Sequence, residues 1–515
     1  MPTRGQELET LAREARVLHS CVNRIALRPT ASEASMLTRR TFLKSSVLSS
    51  VGLGVCSSIM VASPNAGKPK RVVIIGAGIA GLTAAYELVQ RGNEVQVLEA
   101  RMRPGGRVYT IRDPFTDGLY AEAGAVDVGD GYSLLMRYIH EFNLPLTEIP
   151  RNSKQVLFAR GKRYVVPAGQ EPDWPHNLQP EERKLGQAGL WQKYVTRTLA
   201  SIGNPSDNRW PDSKALEYDR LTLNDFLVQS GVSAEAVALF RLSLNGDDFD
   251  HVSALESLMW ESFLARNTIA MVLRGGNDQL PKAFATRLGN HISYGCAVVK
   301  LEQDNNKVRV TFLKAGVQQQ VETDRVIVAI PFSVLRKIEL DNSFSPQKRK
   351  AISELRYEDI TEVFLQSKRR FWSEQGIEGT AMTDLPISLV VDHTATQAGQ
   401  RGILQSQTEH KMARQVQSMK REERIRWTLE YMDKVHPGFA ETFEGGTSFS
   451  WSEEPWSLGA WAYYAPGEVA TLFPHVANSE GRIHFAGEHT AMNMLLEGAA
   501  QSGLRAANEV LSAQT

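Results

Sequence analysis

The segment Val72-Val73-Ile74-Ile75-Gly76-Ala77-Gly78-Ile79-Ala80-Gly81 constrains the fold more than any other part of this chain. Four successive β-branched residues read as a strand buried on both faces, the pattern of a parallel sheet covered by helices. Gly76 permits the tight turn that follows, and Gly78 lets the main chain approach a pyrophosphate. Gly81 lets the next helix lie close to the strand, and Ala80 completes the cradle. Leu82, Ala85, Tyr86 and Val89 recur at helical spacing, and Gly92 stands where a left-handed cap is expected. The start of such a helix turns free N–H groups and partial positive charge toward phosphate. A second strand, Glu94 to Leu98, ends at Glu99, whose carboxylate can accept hydrogen bonds from a ribose diol and would repel a 2′-phosphate; Ala100 and Arg101 continue the loop. A lone G-x-G-x-x-G is weak, but set between strand and helix with an acid on the next strand it indicates dinucleotide binding. At this point NAD and FAD both remain open.

A chain of 515 residues is long enough for two joined domains. Its 58 basic and 58 acidic side chains balance, which argues against nucleic acid as a partner. The locally basic run from His410 to Arg426 is interrupted by Glu422 and Glu423 and reads as a solvated helix face. Cys21, Cys56 and Cys296 show no paired spacing, so no metal site is expected.

The next motif favours FAD. Arg101-Met102-Arg103-Pro104-Gly105-Gly106-Arg107-Val108 resembles the paired-glycine loop of the flavin amine oxidase and L-amino acid oxidase superfamily. The resemblance extends over roughly residues 70–512, strongest at the two ends. Gly275-Gly276-Asn277-Asp278-Gln279-Leu280-Pro281 is similar to the segment opening the middle of that family's FAD domain. Val298 matches the valine whose main chain holds the adenine edge. About 410 residues beyond the first glycines, Phe485-Ala486-Gly487-Glu488-His489-Thr490 matches the family's C-terminal flavin motif. There Glu488 would approach the ribityl chain, with Gly487 beside it. The backbone around Glu497, Gly498 and Ala499 would meet the pyrimidine end of the ring, at a helix start whose positive end suits an electron-rich reduced flavin. Gly106, Arg101 and Arg107 would flank the diphosphate.

The resemblance implies an α/β fold, with a Rossmann-type, glutathione-reductase-like FAD domain made of residues 70–127, 267–338 and 448–515. An interleaved α+β substrate domain would come from 128–266 and 339–447. Three positions depart from the family pattern. Counting back from Phe371-Trp372 places Glu362 where the family carries a lysine thought to assist reaction with dioxygen, although a slip of one or two residues is open. Asp127 follows Glu122-Ala123-Gly124-Ala125-Val126 where L-amino acid oxidases place an arginine for the substrate carboxylate. Two carboxylates would repel, which disfavours ordinary amino acids unless another arginine such as Arg274 supplies the clamp. Ala460 replaces the cysteine that tethers the flavin in monoamine oxidases, so FAD is expected to be non-covalent. Trp461 would form one wall of an aromatic cage, with Leu495 as the other wall in a shortened loop, Ala491 to Leu496. Core packing is the alternative for Trp461, and a solvent-facing or turn-capping place is the alternative for Asp127 and Glu362.

These residues imply oxidation of a small-molecule amine beside its nitrogen to an imine, hydrolysed to a carbonyl compound, with dioxygen as acceptor and hydrogen peroxide as product. An alkylamine must lose its proton first, at a cost of about 4 kcal/mol at neutral pH; an apolar pocket lowers that cost. The rivals are an FAD dehydrogenase or desaturase with another acceptor, an L-amino acid oxidase with an unusual clamp, and a flavin-dead binding protein. Residues 1–66 read as an N-terminal extension and signal. Thr38-Arg39-Arg40-Thr41-Phe42-Leu43-Lys44, ahead of a weakly apolar stretch to Ala62, resembles a twin-arginine export signal. The twin-arginine machinery is thus an expected partner and the location periplasmic or secreted, with Met36 as an alternative start. A short membrane anchor is the other reading, but its many serines make a poor span. A homodimer stays open.

Overall fold

The computed structural model describes residues 69–151, 154–204, 210–242, 248–491 and 495–513. The twin-arginine segment and the rest of 1–66 lie outside the described residues, as do residues 492–494 of the loop near Leu495.

Five parallel strands form the central sheet, in the order Ile292–Ser293, Glu94–Leu98, Arg71–Ile75, Arg325–Val328 and Ile483–Phe485. Arg71–Ile75 sits at the centre, and both of its faces are covered. Val72 and Ile74 pack with Leu82, Ala85 and Leu88 of helix Ile79–Gln90, whereas Val73 and Ile75 pack with Leu301 and Phe312 on the opposite side. That double burial is the physical reason for an unbroken β-branched run. The last helix, Leu496–Ser512, lies against Ile79–Gln90 at a contact of small residues: a Cβ on Gly503 would come within 2.2 Å of the Ala80 carbonyl oxygen. Helix Leu496–Ser512 is thereby held over helix Ile79–Gln90.

A four-stranded sheet flanks this layer, with strands Val317–Thr323, Val308–Lys314 and Cys296–Gln303 as an antiparallel meander and Glu339–Leu340 beside them. A separate seven-stranded sheet runs Phe443–Ser450, Ile360–Ser367, Gly402–Glu409, Leu389–Asp392, Ile377–Thr383, Lys154–Ala159 and Lys162–Pro167. It joins residues 154–167 with residues 360–450, which lie on either side in sequence of the four-stranded sheet. Strand Phe443–Ser450 spans the border expected between 447 and 448 and keeps both sides of it in this sheet. Every residue of Ile360–Ser367 is buried, because this strand is paired on both sides in its sheet and closed over by helices His410–Gln417 and Arg421–Val435. The helical stretch includes Pro180–Trp191, Leu223–Gln229, Ala234–Arg241 and Ala254–Leu264. Among the described residues, no helix is long and apolar enough to cross a membrane.

Candidate active site

One cavity of about 660 Å³ runs from the Gly76 turn to the seven-stranded sheet. Its first wall is main chain. Gly76 has φ +98°, and a Cβ on Gly81 would stand 2.0 Å from the Gly76 carbonyl oxygen, so any side chain there separates helix from strand. A Cβ on Gly78 would meet nothing within 4 Å, which leaves the space above it for a ligand. Glu99 is buried, and its carboxylate accepts from the N–H groups of Ala77 at 2.7 Å and Arg101 at 2.8 Å. Burial raises its pKa, against those two donors and the nearby Arg101 guanidinium. The acid thus stitches the glycine turn to the end of the next strand while lining the cavity.

The paired-glycine loop and the C-terminal segment meet across this wall. Gly106 has φ +55° and lies beside Gly78, where a Cβ would be 3.3 Å from the Gly78 Cα. Arg107 donates to Glu488 Oε1 at 2.7 Å and to the Ala460 carbonyl at 2.6 Å. Burial raises the pKa of Glu488, and Arg107 opposes that rise. Arg101 donates to Ser457 Oγ at 2.9 Å and pairs with Glu454, while its Nε is buried without a partner among the described residues.

At the other end the walls are side chains. Trp260, Glu256 and Glu261 of helix Ala254–Leu264 line the cavity, together with Asp127, Arg151, Glu362, His393, Trp461 and Leu495. Glu362 lies on the interior strand Ile360–Ser367, opposite Gln407, and accepts from Gln405 Nε2 at 2.8 Å. Burial lifts its pKa well above the usual range, and the neighbouring Glu409 carboxyl adds to that rise. Glu122 accepts from the Asn277 N–H and from Thr110 Oγ1, both at 2.8 Å; burial still raises its pKa to about 7. Arg151 is the only lysine or arginine among the described cavity-lining residues outside the paired-glycine loop, whereas Asp127, Glu256, Glu261, Glu362, Glu378 and Asp392 are acids.

The family described as flavin containing amine oxidoreductase matches residues 79–511. A putative L-amino-acid oxidase of Bacillus subtilis is 33% identical, over 86% of this chain and 95% of its own length. An L-amino-acid oxidase of Pseudechis australis is 28% identical, over 86% of this chain and 87% of its own. Among solved structures, putrescine oxidase with putrescine bound superposes with a TM-score of 0.74 at 23% identity, covering 86% of this chain and 99% of that one. Cyclohexylamine oxidase from Brevibacterium oxydans also gives a TM-score of 0.74, at 21% identity over 86% and 99%. These two share the fold. The chain belongs to the flavin-containing amine oxidoreductases.

Its cofactor is FAD, and the residues of this amine oxidoreductase fit it. The unfilled space over Gly78, the buried acid Glu99 and the unpartnered Arg101 Nε all lie at one end of the cavity. Of the residues singled out in the sequence, Gly76, Gly78, Ala80, Glu99, Arg101, Gly106, Arg107, Gly487, Glu488 and Ala499 line that cavity, as do Asp127, Glu362, Trp461 and Leu495. Gly81, Ala100, Val298, Glu497 and Gly498 do not line it. Gly81 acts through packing, and Val298 is buried in strand Cys296–Gln303, whose Cys296 N–H donates to the Glu99 carbonyl at 2.8 Å. The Glu497 side chain instead accepts from the N–H groups of Leu134 at 2.9 Å and Leu135 at 3.0 Å, holding the start of helix Ser133–Glu141. Arg274 is exposed and absent from the cavity wall, so the described geometry gives it no place as a substrate clamp.

Arg151, Glu256, Glu261, His393 and Gln405 were not singled out in the sequence. The alternation Gln405, Gln407 and Glu409 was the available signal. Strand residues at spacing two share a face, and a polar face on a buried strand marks an internal polar space. For His393 and Arg151 no local signal exists.

Proposed function

We propose that this enzyme oxidises an amine without an α-carboxylate to an imine, which water converts to a carbonyl compound, with dioxygen as acceptor and hydrogen peroxide as product. FAD, when bound, would supply the two-electron chemistry that removes hydrogen from the carbon beside nitrogen and reduces dioxygen. The observation that carries the substrate class is the charge of the far chamber. Its acids outnumber its single arginine, which attracts an ammonium group and repels a carboxylate. Trp461, Trp260 and Leu495 supply apolar wall, where a neutral amine loses less on desolvation than its cation does. Closure by these side chains excludes bulk water from the reacting carbon. Ala460 offers no sulfur for a covalent tether, which supports dissociable FAD.

A peroxide-coupled screen of amines, diamines and amino acids tests this reading. Turnover should be faster with an amine than with the amino acid of the same side chain; turnover confined to free amino acids overturns it. The second reading, an L-amino-acid oxidase, is favoured by Arg151 in the cavity and by the relatives' names. A dehydrogenase using another acceptor is favoured by Glu362 in place of the family's lysine, and slow reoxidation of the reduced enzyme in air would establish it. Export by the twin-arginine route is part of the proposal. Replacing Arg39 and Arg40 by lysine should leave the enzyme in the cytoplasmic fraction, and undiminished export refutes that route. A homodimer is part of the same proposal, and a monomeric mass by light scattering would refute it.

A further inference from the structure

Glu362 does not stand alone on its strand. A chain of hydrogen bonds runs to it from strand Ala121–Glu122. The Glu122 main-chain N–H faces His393 Nδ1 at 3.3 Å, His393 Nε2 bonds Gln405 Oε1, and Gln405 Nε2 lies 2.8 Å from Glu362 Oε1. One member of this chain cannot reverse. A backbone N–H is always a donor, so His393 Nδ1 must be the acceptor, and the ring's single proton sits on Nε2. Nε2 then donates to Gln405 Oε1, which turns the amide so that its NH₂ group points at Glu362. A cationic His393 would place two donors against each other at Nδ1. Burial also holds its pKa below the usual histidine range, in agreement with the neutral ring.

Glu362 Oε1 is therefore an acceptor, and the remaining oxygen, Oε2, is buried without a partner among the described residues. Glu362 is 2% exposed and lines the cavity. The groups acting on it are Gln405 and Glu409, on the neighbouring strand, and Glu409 is itself a carboxyl. Among the described residues, none of the groups acting on it is a cation. An unpaired buried carboxylate is far costlier than a carboxylic acid, which can place its proton on the free oxygen.

We propose that Glu362 is a neutral carboxylic acid that offers the Oε2 proton to an acceptor atom of whatever occupies the cavity, and that Gln405 and His393 are the positioning residues that fix which oxygen carries it. The acceptor's chemistry is a nitrogen or oxygen lone pair, on bound flavin or on a neutral amine. Attraction for a cationic amine then falls to Asp127, Glu256 and Glu261 and not to Glu362. This inference rests on the cavity geometry and is independent of which amine reacts.

Infrared spectra of the apoprotein and the FAD-loaded enzyme test it without turnover. The difference between wild type and Glu362→Gln at neutral pH should contain the carbonyl stretch of one protonated carboxylic acid. In Gln405→Leu that band should move to higher frequency, because the carbonyl oxygen loses its donor. His393→Phe should shift or broaden the band, because the amide is then free to turn. A wild-type-minus-Glu362→Gln spectrum lacking this band overturns the proposal. A band that stays in place in both Gln405→Leu and His393→Phe overturns the positioning role. Loss of all amine turnover with the band intact would refute the proposed substrate class and leave this inference standing.

Discussion

The two ends of the cavity are built from different materials. Around Gly76 the wall is main chain, with Gly78 and Gly106 in contact and Glu99 bonding two backbone N–H groups. Around Glu362 the wall is side chains contributed by a helix, the seven-stranded sheet and isolated loops. A backbone wall has one shape and binds one cofactor throughout a family. A side-chain wall can change its charge without changing the fold. Binding FAD and choosing a substrate should therefore be separable by mutation.

The largest effect is expected at the backbone wall. Gly81→Val puts a side chain where a Cβ already stands 2.0 Å from the Gly76 oxygen, so the helix must move and flavin should be absent from the purified protein. Gly78→Ala has open space, so the apoprotein should melt as wild type does while FAD affinity falls by about tenfold or more, as a methyl displaces ligand from contact. Equal loss of thermal stability in both variants would break the distinction between packing glycine and ligand glycine.

Next comes the seam between chain ends. Arg107→Met leaves Glu488 buried without its cation and should cost about 3–5 kcal/mol in urea unfolding of the apoprotein. Adding Glu488→Gln to that variant should restore part of the loss. No restoration would mean that Arg107 acts through the Ala460 carbonyl instead.

Substitutions in the far chamber should spare FAD binding. Asp127→Asn should raise KM for the best amine by about tenfold with little change in kcat, as expected for loss of a ground-state contact. If Arg151→Met raises KM instead, the carboxylate-bearing substrate is correct and the acid-rich reading is not.

The last effect lies outside both ends and leaves flavin and substrate untouched. Lys348 is fully buried, donates to the Val476 carbonyl at 2.9 Å, and has its pKa lowered by burial to about 7. The unfolded chain holds this proton up to about pH 10.4. Between these values the unfolded state binds more protons, so stability contributed by this site rises with pH from about 7 to about 10, and the penalty is complete below it. Lys348→Met should flatten that part of the pH–stability curve and leave the flavin spectrum unchanged. An unchanged slope would show that Lys348 keeps its charge through another route.

The contrast also explains what could be read in the sequence. The cradle is contiguous: strand, glycines, helix and Glu99 fall within thirty residues, and each position has a steric reason that needs no distant partner. Glu488 was legible because its neighbours follow a similar short pattern. The far chamber has no such locality. Glu362 was placed by its distance from Phe371-Trp372, but its role depends on Gln405 and His393, which lie on another strand and the loop beyond a third. Glu497 was read for its backbone, and only the packed structure places its carboxylate on helix Ser133–Glu141. Arg274 was a candidate by type, and its place on an exposed turn off the cavity wall could be read only from the packed structure.

An anaerobic single-turnover experiment tests the central claim, that one cavity couples a backbone-held flavin to an acid-walled amine site. The FAD-loaded enzyme mixed with its best amine should bleach completely. Air should then restore the oxidised spectrum, with one hydrogen peroxide formed per flavin. Bleaching by amino acids alone, or a bleached flavin that air does not reoxidise, would contradict the account.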